Sequence, residues 1–211
     1  MKRRLLCLLL CLSLLALAGN PGKALSKDEV LQLLASGGAE LRVITLVHQY
    51  GIDFGVDDAV ERDVRAAGAG DKVVTALREE AAKEAKRHLA LGDTFLQAGD
   101  LDGATAQYGQ ALHFDSKNAG AHIGMGKVRE QRGETEAALA EYQEAIKAKP
   151  DSGAAYNAMG KLWEAKGERQ KALEAYRSGL EAEPEDAELK ANYIRVAAKP
   201  TPPAVAAQAH A

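Results

Sequence analysis

The chain has 211 residues, of which 27% are charged and 5% aromatic, and a formal net charge of −3 at pH 7. A balance this close to neutral excludes a general electrostatic grip on nucleic acid or on an anionic membrane. Its two cysteines, Cys7 and Cys11, both fall at the very start.

Lys2, Arg3 and Arg4 precede an apolar stretch from Leu5 to Ala18 that is too short and too early for a usual spanning helix. This is the pattern of a secretory signal peptide over residues 1–18, with Ala16 and Ala18 offering cleavage before Gly19. Leu6 and Leu10 precede the cysteines where a lipoprotein site needs a small residue. Export therefore implies a periplasmic or secreted protein with no stable membrane span after leader removal. Losing three basic residues leaves 24 against 30 acidic, a formal charge of −6. The mature chain then has no thiol, and so no disulfide, cysteine zinc site or cysteine nucleophile.

Residues 25–84 repeat internally with a period of 30. Val30 matches Val60, Leu34 Val64, Gly38 Gly68, Val43 Val73, Thr45 Thr75 and Val47 Leu77. Each half reads as helix, glycine turn, helix, with Ser26 and Asp57 placed as caps, so a four-helix module is expected. The link Gln49–Val56 carries Ile52 and Phe54 between glycines and is expected to plug that module.

From residue 85 the period changes to 34. Gly92, Gly126 and Gly160 form one column, Ala104, Ala138 and Ala172 a second, and Tyr108, Tyr142 and Tyr176 a third. Leu91, Met125 and Met159 and the turn glycines Gly99, Gly133 and Gly167 complete the set. Asp100, Glu134 and Glu168 each follow a turn glycine and open a second apolar-periodic segment, so each unit is two antiparallel helices. Pro150 and Pro184 end the second helix. The units run 85–118, 119–152 and 153–186. Residues 187–198, with Leu189, Tyr193 and Val196 at helical spacing, are expected to form a capping helix with a polar outer face. Residues 199–211 have neither periodicity nor apolar bulk and are expected to form a disordered tail.

The 34-residue pattern resembles the tetratricopeptide repeat: a small residue at the eighth position, Ala at the twentieth, an aromatic at the twenty-fourth and Pro at the thirty-second. It departs at the fourth position, where His88, His122 and Tyr156 stand, at Ser116 in place of the first closing Pro, and at Arg129 between Phe95 and Trp163. The resemblance implies an all-α fold, a right-handed superhelix of three repeats with a capping helix, preceded by the four-helix module. The segment with Gly51-Ile-Asp-Phe, Ala67-Gly-Ala and the following Val-Val run resembles a small helical module of bacterial extracytoplasmic proteins.

No Gly-rich phosphate loop, metal-spaced His/Glu pair or nucleophile elbow is present, so neither a cofactor nor catalysis is expected. His88 and His122, 34 residues apart, are expected to pack between helices, as is the Tyr column; His48, His113 and His210 stand isolated. The resemblance implies that function lies on the concave face built by the first helix of each unit. Those positions are Lys86, Leu89, Asp93, Leu96 and Gln97, then Ile123, Lys127, Glu130 and Gln131, then Asn157, Lys161 and Glu164, with Arg195 in register on the cap. Lys127, Lys161 and Arg195 form a basic file, and Glu130 and Glu164 stand three residues after the two lysines, within pairing distance on a helix. Such a face is either a solvated salt-bridged surface or a groove reading acidic groups of a protein or peptide partner. Leu89, Leu96 and Ile123 offer an apolar anchor.

These features point to a non-catalytic scaffold or adaptor working outside the cytoplasm. The alternatives are an accessory subunit of an envelope or secretion complex, and an enzyme with chemistry hidden in residues 25–84.

Overall fold

The computed structural model describes residues 23–198. The expected leader and tail lie outside the described residues. Within them the protein is all-helical: α1 (Lys27–Ala35), α2 (Glu40–Tyr50), α3 (Asp58–Ala66), α4 (Asp71–Gln97), α5 (Leu101–Phe114), α6 (Ala119–Gln131), α7 (Thr135–Ala148), α8 (Gly153–Ala165), α9 (Arg169–Ala182) and α10 (Ala187–Ala197). The chain divides into two compact units, one ending at Ala121 and one beginning at His122.

In the first unit α1 starts on a capping box. The Ser26 hydroxyl accepts from the Glu29 N–H at 3.3 Å while the Ser26 N–H donates to Glu29 Oε2 at 2.7 Å. Asp57 caps α3 by accepting from the N–H groups of Ala59 and Val60. Between α2 and α3 the link turns inward, with Ile52 2% and Phe54 8% exposed among Val30, Leu34, Val43, Val47, Val64, Val73 and Leu77. Backbone hydrogen bonds from Leu25 to Gly51 (3.0 Å) and from Asp53 to Leu25 (3.1 Å) pin it there. The link thus fills the core, as its spacing implies.

Helix α4 runs unbroken for 27 residues, about 40 Å at the helical rise. Its first half buries Val73, Val74 and Leu77 in that core and its second half buries Gly92 against α5. Position 84/85 is therefore interior to a helix. The physical reason is plain in the sequence, because no Gly or Pro stands between Asp71 and Leu91. His113, read as isolated from sequence, bonds through Nε2 to the Asp53 carbonyl at 2.9 Å. Gly55 permits this contact, since a Cβ there would lie 2.3 Å from the His113 carbonyl oxygen.

In the second unit Ala138, Leu139, Tyr142 and Leu162 form one buried cluster and Ala172, Tyr176, Leu189 and Val196 another, with Trp163 packed against both. Asp186 caps α10 through the Leu189 N–H at 2.8 Å. Helix α10 buries Leu189 and Val196 on one side and leaves Ile194 65% exposed on the other.

One hairpin geometry recurs in both units. Gly99, Gly133 and Gly167 adopt φ of 77°, 76° and 77°, a conformation that a side chain disfavours. Each closes its helix with the paired bonds of a Schellman turn, Gly133 N–H to Glu130 O and Glu134 N–H to Arg129 O in the second unit. The two helices then approach so closely that a Cβ on Gly92, Gly126 or Gly160 would lie 2.5, 2.3 or 2.4 Å from the ring of Tyr108, Tyr142 or Tyr176. The glycine column exists to admit the tyrosine column.

Candidate functional site

The tyrosines of that column are fully buried, yet each hydroxyl reaches an acid on the partner helix of its own hairpin. Tyr108 donates to Asp93 at 2.8 Å, Tyr142 to Glu130 at 2.9 Å and Tyr176 to Glu164 at 3.4 Å. Burial is the main reason that all three phenols are pushed above their ordinary value, Tyr176 to about 12, with the neighbouring carboxylates acting in the same direction.

These bonds correct the charge pairing expected within single helices. Glu130 is used by Tyr142 rather than Lys127. Glu164 takes the Arg195 guanidinium, with Nη2 at 2.8 Å, as well as the Tyr176 hydroxyl. Lys161 pairs with Glu188 at the start of α10. Among the described residues no hydrogen bond or ion pair engages Lys127, whose charge acts on Glu188 only through space.

The second unit places Ile123, Lys127, Glu130 and Gln131 of α6 and Asn157 and Lys161 of α8 around a cleft of about 600 Å³. Ala154, Ala158, Tyr142, Asp186 and Glu188 complete its lining. Asn157 is buried, and its Oδ1 accepts from Asn192 Nδ2 at 2.8 Å; Asn192 Oδ1 in turn accepts from Arg195 at 3.0 Å. A polar chain therefore ties α10 to α8 beneath the cleft. Glu188 is held below the usual carboxylate range, first by its hydrogen bond from Lys161, with Asn157 beside it adding to the effect. Chemically the cleft offers one unspent ammonium, an apolar patch from Ile123, Ala154 and Ala158, and a carboxylate already engaged.

Leu89, Asp93 and Leu96 lie on α4 in the first unit, Leu89 and Leu96 half-buried and Asp93 committed to Tyr108. His88 bonds Gln107 at 2.8 Å and stacks on Phe114, while His122 bonds Glu141 at 2.9 Å, so both sit between helices. A second cleft of about 750 Å³ in the first unit is lined by Phe54, Val56, Val60 and Phe114. Of the polar groups on its wall, Asp57 is spent on a helix cap and His113 on the Asp53 carbonyl, while Asp58, Arg62, Asp115, Ser116 and Lys117 also line it. Among the described residues no group of three or more His, Cys, Asp or Glu side chains is placed to hold a metal ion, and no helix is long and apolar enough to cross a membrane.

Glu188 is not among the concave positions expected from the sequence, yet the repeat register carries its signal. It stands 34 residues after Ala154, which also lines the cleft, and 102 after Lys86. The register, carried onto α10 position by position, marks it.

Residues 95–162 match the family model of the tetratricopeptide repeat. No curated protein sequence matches the chain. Among solved structures, the Sgt2 TPR domain from Aspergillus fumigatus is 19% identical with a TM-score of 0.51, the match covering 59% of this chain and 92% of that one. The first TPR domain of Spaghetti (RPAP3), bound to the HSP90 peptide SRMEEVD, is 18% identical with a TM-score of 0.50, covering 55% and 92%. The TPR2B domain of yeast Sti1 in its complex with pHsp70 is 17% identical with a TM-score of 0.50, covering 55% and 97%. Its described residues are thus all-helical, with a fold similar to that of tetratricopeptide-repeat domains and a match to the repeat's family model over residues 95–162.

Proposed function

We propose that the chain is a non-catalytic interaction protein acting outside the cytoplasm, and that its second unit binds a protein or peptide segment presenting a carboxylate beside an apolar side chain. The observation that carries this reading is Lys127, an exposed ammonium without a bonded partner among the described residues, on the wall of a cleft whose other lysine is paired. Ile123, Ala154 and Ala158 supply the apolar contact, and a charge so placed sets encounter rate and specificity more than raw affinity. One solved domain of similar fold is bound to an HSP90 peptide and another is in complex with pHsp70, which supports a binding role of the same broad kind here. Leu89 and Leu96 are the candidate apolar anchor of the first unit. The extracytoplasmic assignment rests on the basic and apolar leader of residues 1–18.

Photo-cross-linking from position 123 in the native cell envelope, followed by identification of the captured segment, tests the binding reading. The expected product is an acidic segment whose capture is lost in Lys127→Glu and suppressed by salt in the parent. Capture unaffected by Lys127→Glu would sink it. N-terminal sequencing of the cellular protein tests the location; a chain still beginning at Met1 in the cytoplasm would contradict it.

The exposed Ile194 on α10 favours a second reading, in which the end of the array is covered in a permanent assembly. Co-purification of a stoichiometric partner that is lost in Ile194→Ser distinguishes that reading from a transient adaptor.

A further inference from the structure

Glu188 places a carboxylate on the cleft wall, paired with Lys161. It enters from the first turn of α10, accepts from the Lys161 ammonium of α8 and lies beside Asn157, both cleft residues. It also sits within the field of Lys127. Nothing in the architecture of α10 requires this bond. The helix is capped by Asp186 and anchored by Leu189 and Val196, both buried, and by the Asn157–Asn192 and Arg195–Glu164 contacts. Glu188 itself has a side chain 60% exposed, so it is free to swing into solvent without disturbing the core.

Resting on the cleft reading above, we propose that Glu188 is a built-in competitor: the chain's own carboxylate occupies Lys161 and must be displaced before a partner's carboxylate gains both lysines. Lys127 then serves as the point of first contact, since it is the cation not already paired. An incoming acidic side chain meets Lys127, and full engagement requires Glu188 to release Lys161. The competitor lowers apparent affinity by the fraction of time it is bound, which raises the threshold for weakly acidic or singly charged segments. An exposed pair of this kind is easily opened, so the threshold is modest.

The test uses the full chain and a short acetylated, amidated peptide of alternating leucine and glutamate, with its leucine–glutamine counterpart as control. Glu188→Gln should bind the acidic peptide about two- to fivefold more tightly than the parent. Glu185→Gln removes the same charge three residues away, from a side chain that pairs with Lys190 outside the cleft lining, and should change affinity much less. The gain in Glu188→Gln should vanish when Lys161→Ala is added. Equal gains in Glu188→Gln and Glu185→Gln, or a gain that survives Lys161→Ala, would overturn the competitor while leaving the cleft reading intact, provided Lys127→Glu still weakens binding. Absence of saturable binding in every variant would overturn both.

Discussion

Tyr108 donates its hydroxyl to Asp93 at 2.8 Å, whereas Tyr142 and Tyr176 use Glu130 and Glu164, acids that stand one helical turn further on in the repeat register. The column holding Asp93 carries Lys127 and Lys161 in the later units, and the column holding Glu130 and Glu164 carries Leu96 in the first. The sign reversal at Asp93 and the loss of an acid at Leu96 are therefore one exchange. A phenol buried against glycine needs an acceptor at its tip, and the hairpin supplies it from either column.

This exchange is directly testable by transplanting it. Glu130→Leu leaves the Tyr142 hydroxyl without its carboxylate and should cost about 1–3 kcal/mol in urea denaturation. Adding Lys127→Asp recreates the Asp93/Leu96 pair and should recover most of that loss. A double variant no more stable than Glu130→Leu alone would show that the two columns are independent.

Periodic features that local geometry enforces were legible in the sequence. Gly126 and Tyr142 announce themselves because a helix crossing admits no Cβ there, and Gly133 because the turn needs a positive φ. Side-chain pairing was not. Spacing places Lys127 near Glu130 and Lys161 near Glu164, but it is silent on competitors arriving from other helices: the tyrosine hydroxyls, Arg195 and Glu188. Repeat arithmetic drew a boundary at 84/85, where the absence of any helix breaker foretold the continuous α4. The bond between His113 and the Asp53 carbonyl links residues 60 apart, and no periodicity signals it.

The same Gly→Ala substitution should change sign between two helix interiors. At Gly126 the new methyl meets the Tyr142 ring at 2.3 Å, so Gly126→Ala should destabilise by about 1–3 kcal/mol through forced repacking. At Gly109, inside α5, nothing lies within 4 Å, and Gly109→Ala should stabilise by about 0.5–1 kcal/mol through reduced chain entropy and better helix propensity. Thermal melts of both variants against the parent decide the matter; equal effects would contradict the packing account.

Alkaline stability should report the buried phenols. Folding raises Tyr108, Tyr142 and Tyr176 above their ordinary value of 10.0, so the folded state keeps protons that the unfolded chain releases. Their contribution is fully present below pH 10 and is lost as pH climbs from about 10 through about 12, the value reached by Tyr176. The melting midpoint should fall over that window, with a shallower fall in Tyr142→Phe than in the parent. Ultraviolet titration of phenolate should show these groups ionising only with unfolding. Early ionisation of all tyrosines in the folded protein would refute the burial argument.

The seat of α10 on α9 makes a coupled prediction. Leu189 is fully buried, and a Cβ on Gly179 would lie 2.8 Å from Leu189 Cδ2 and 3.0 Å from Tyr156 Cβ. Leu189→Ala opens a cavity and should cost about 2–5 kcal/mol. Gly179→Ala pushes against both neighbours and should cost about 1–3 kcal/mol. In the double variant the new methyl occupies part of the space that Leu189 vacated, so one of the two clashes disappears while the contact with Tyr156 persists. The combined cost should then fall short of the sum of the single costs by about 1 kcal/mol, the coupling expected of residues in direct contact. Trp163, the only tryptophan in the chain, packs against the cluster that contains Leu189 and gives the fluorescence signal for the measurement. Strict additivity would mean that α10 shifts away from α9 once Leu189 is truncated and the cavity never forms.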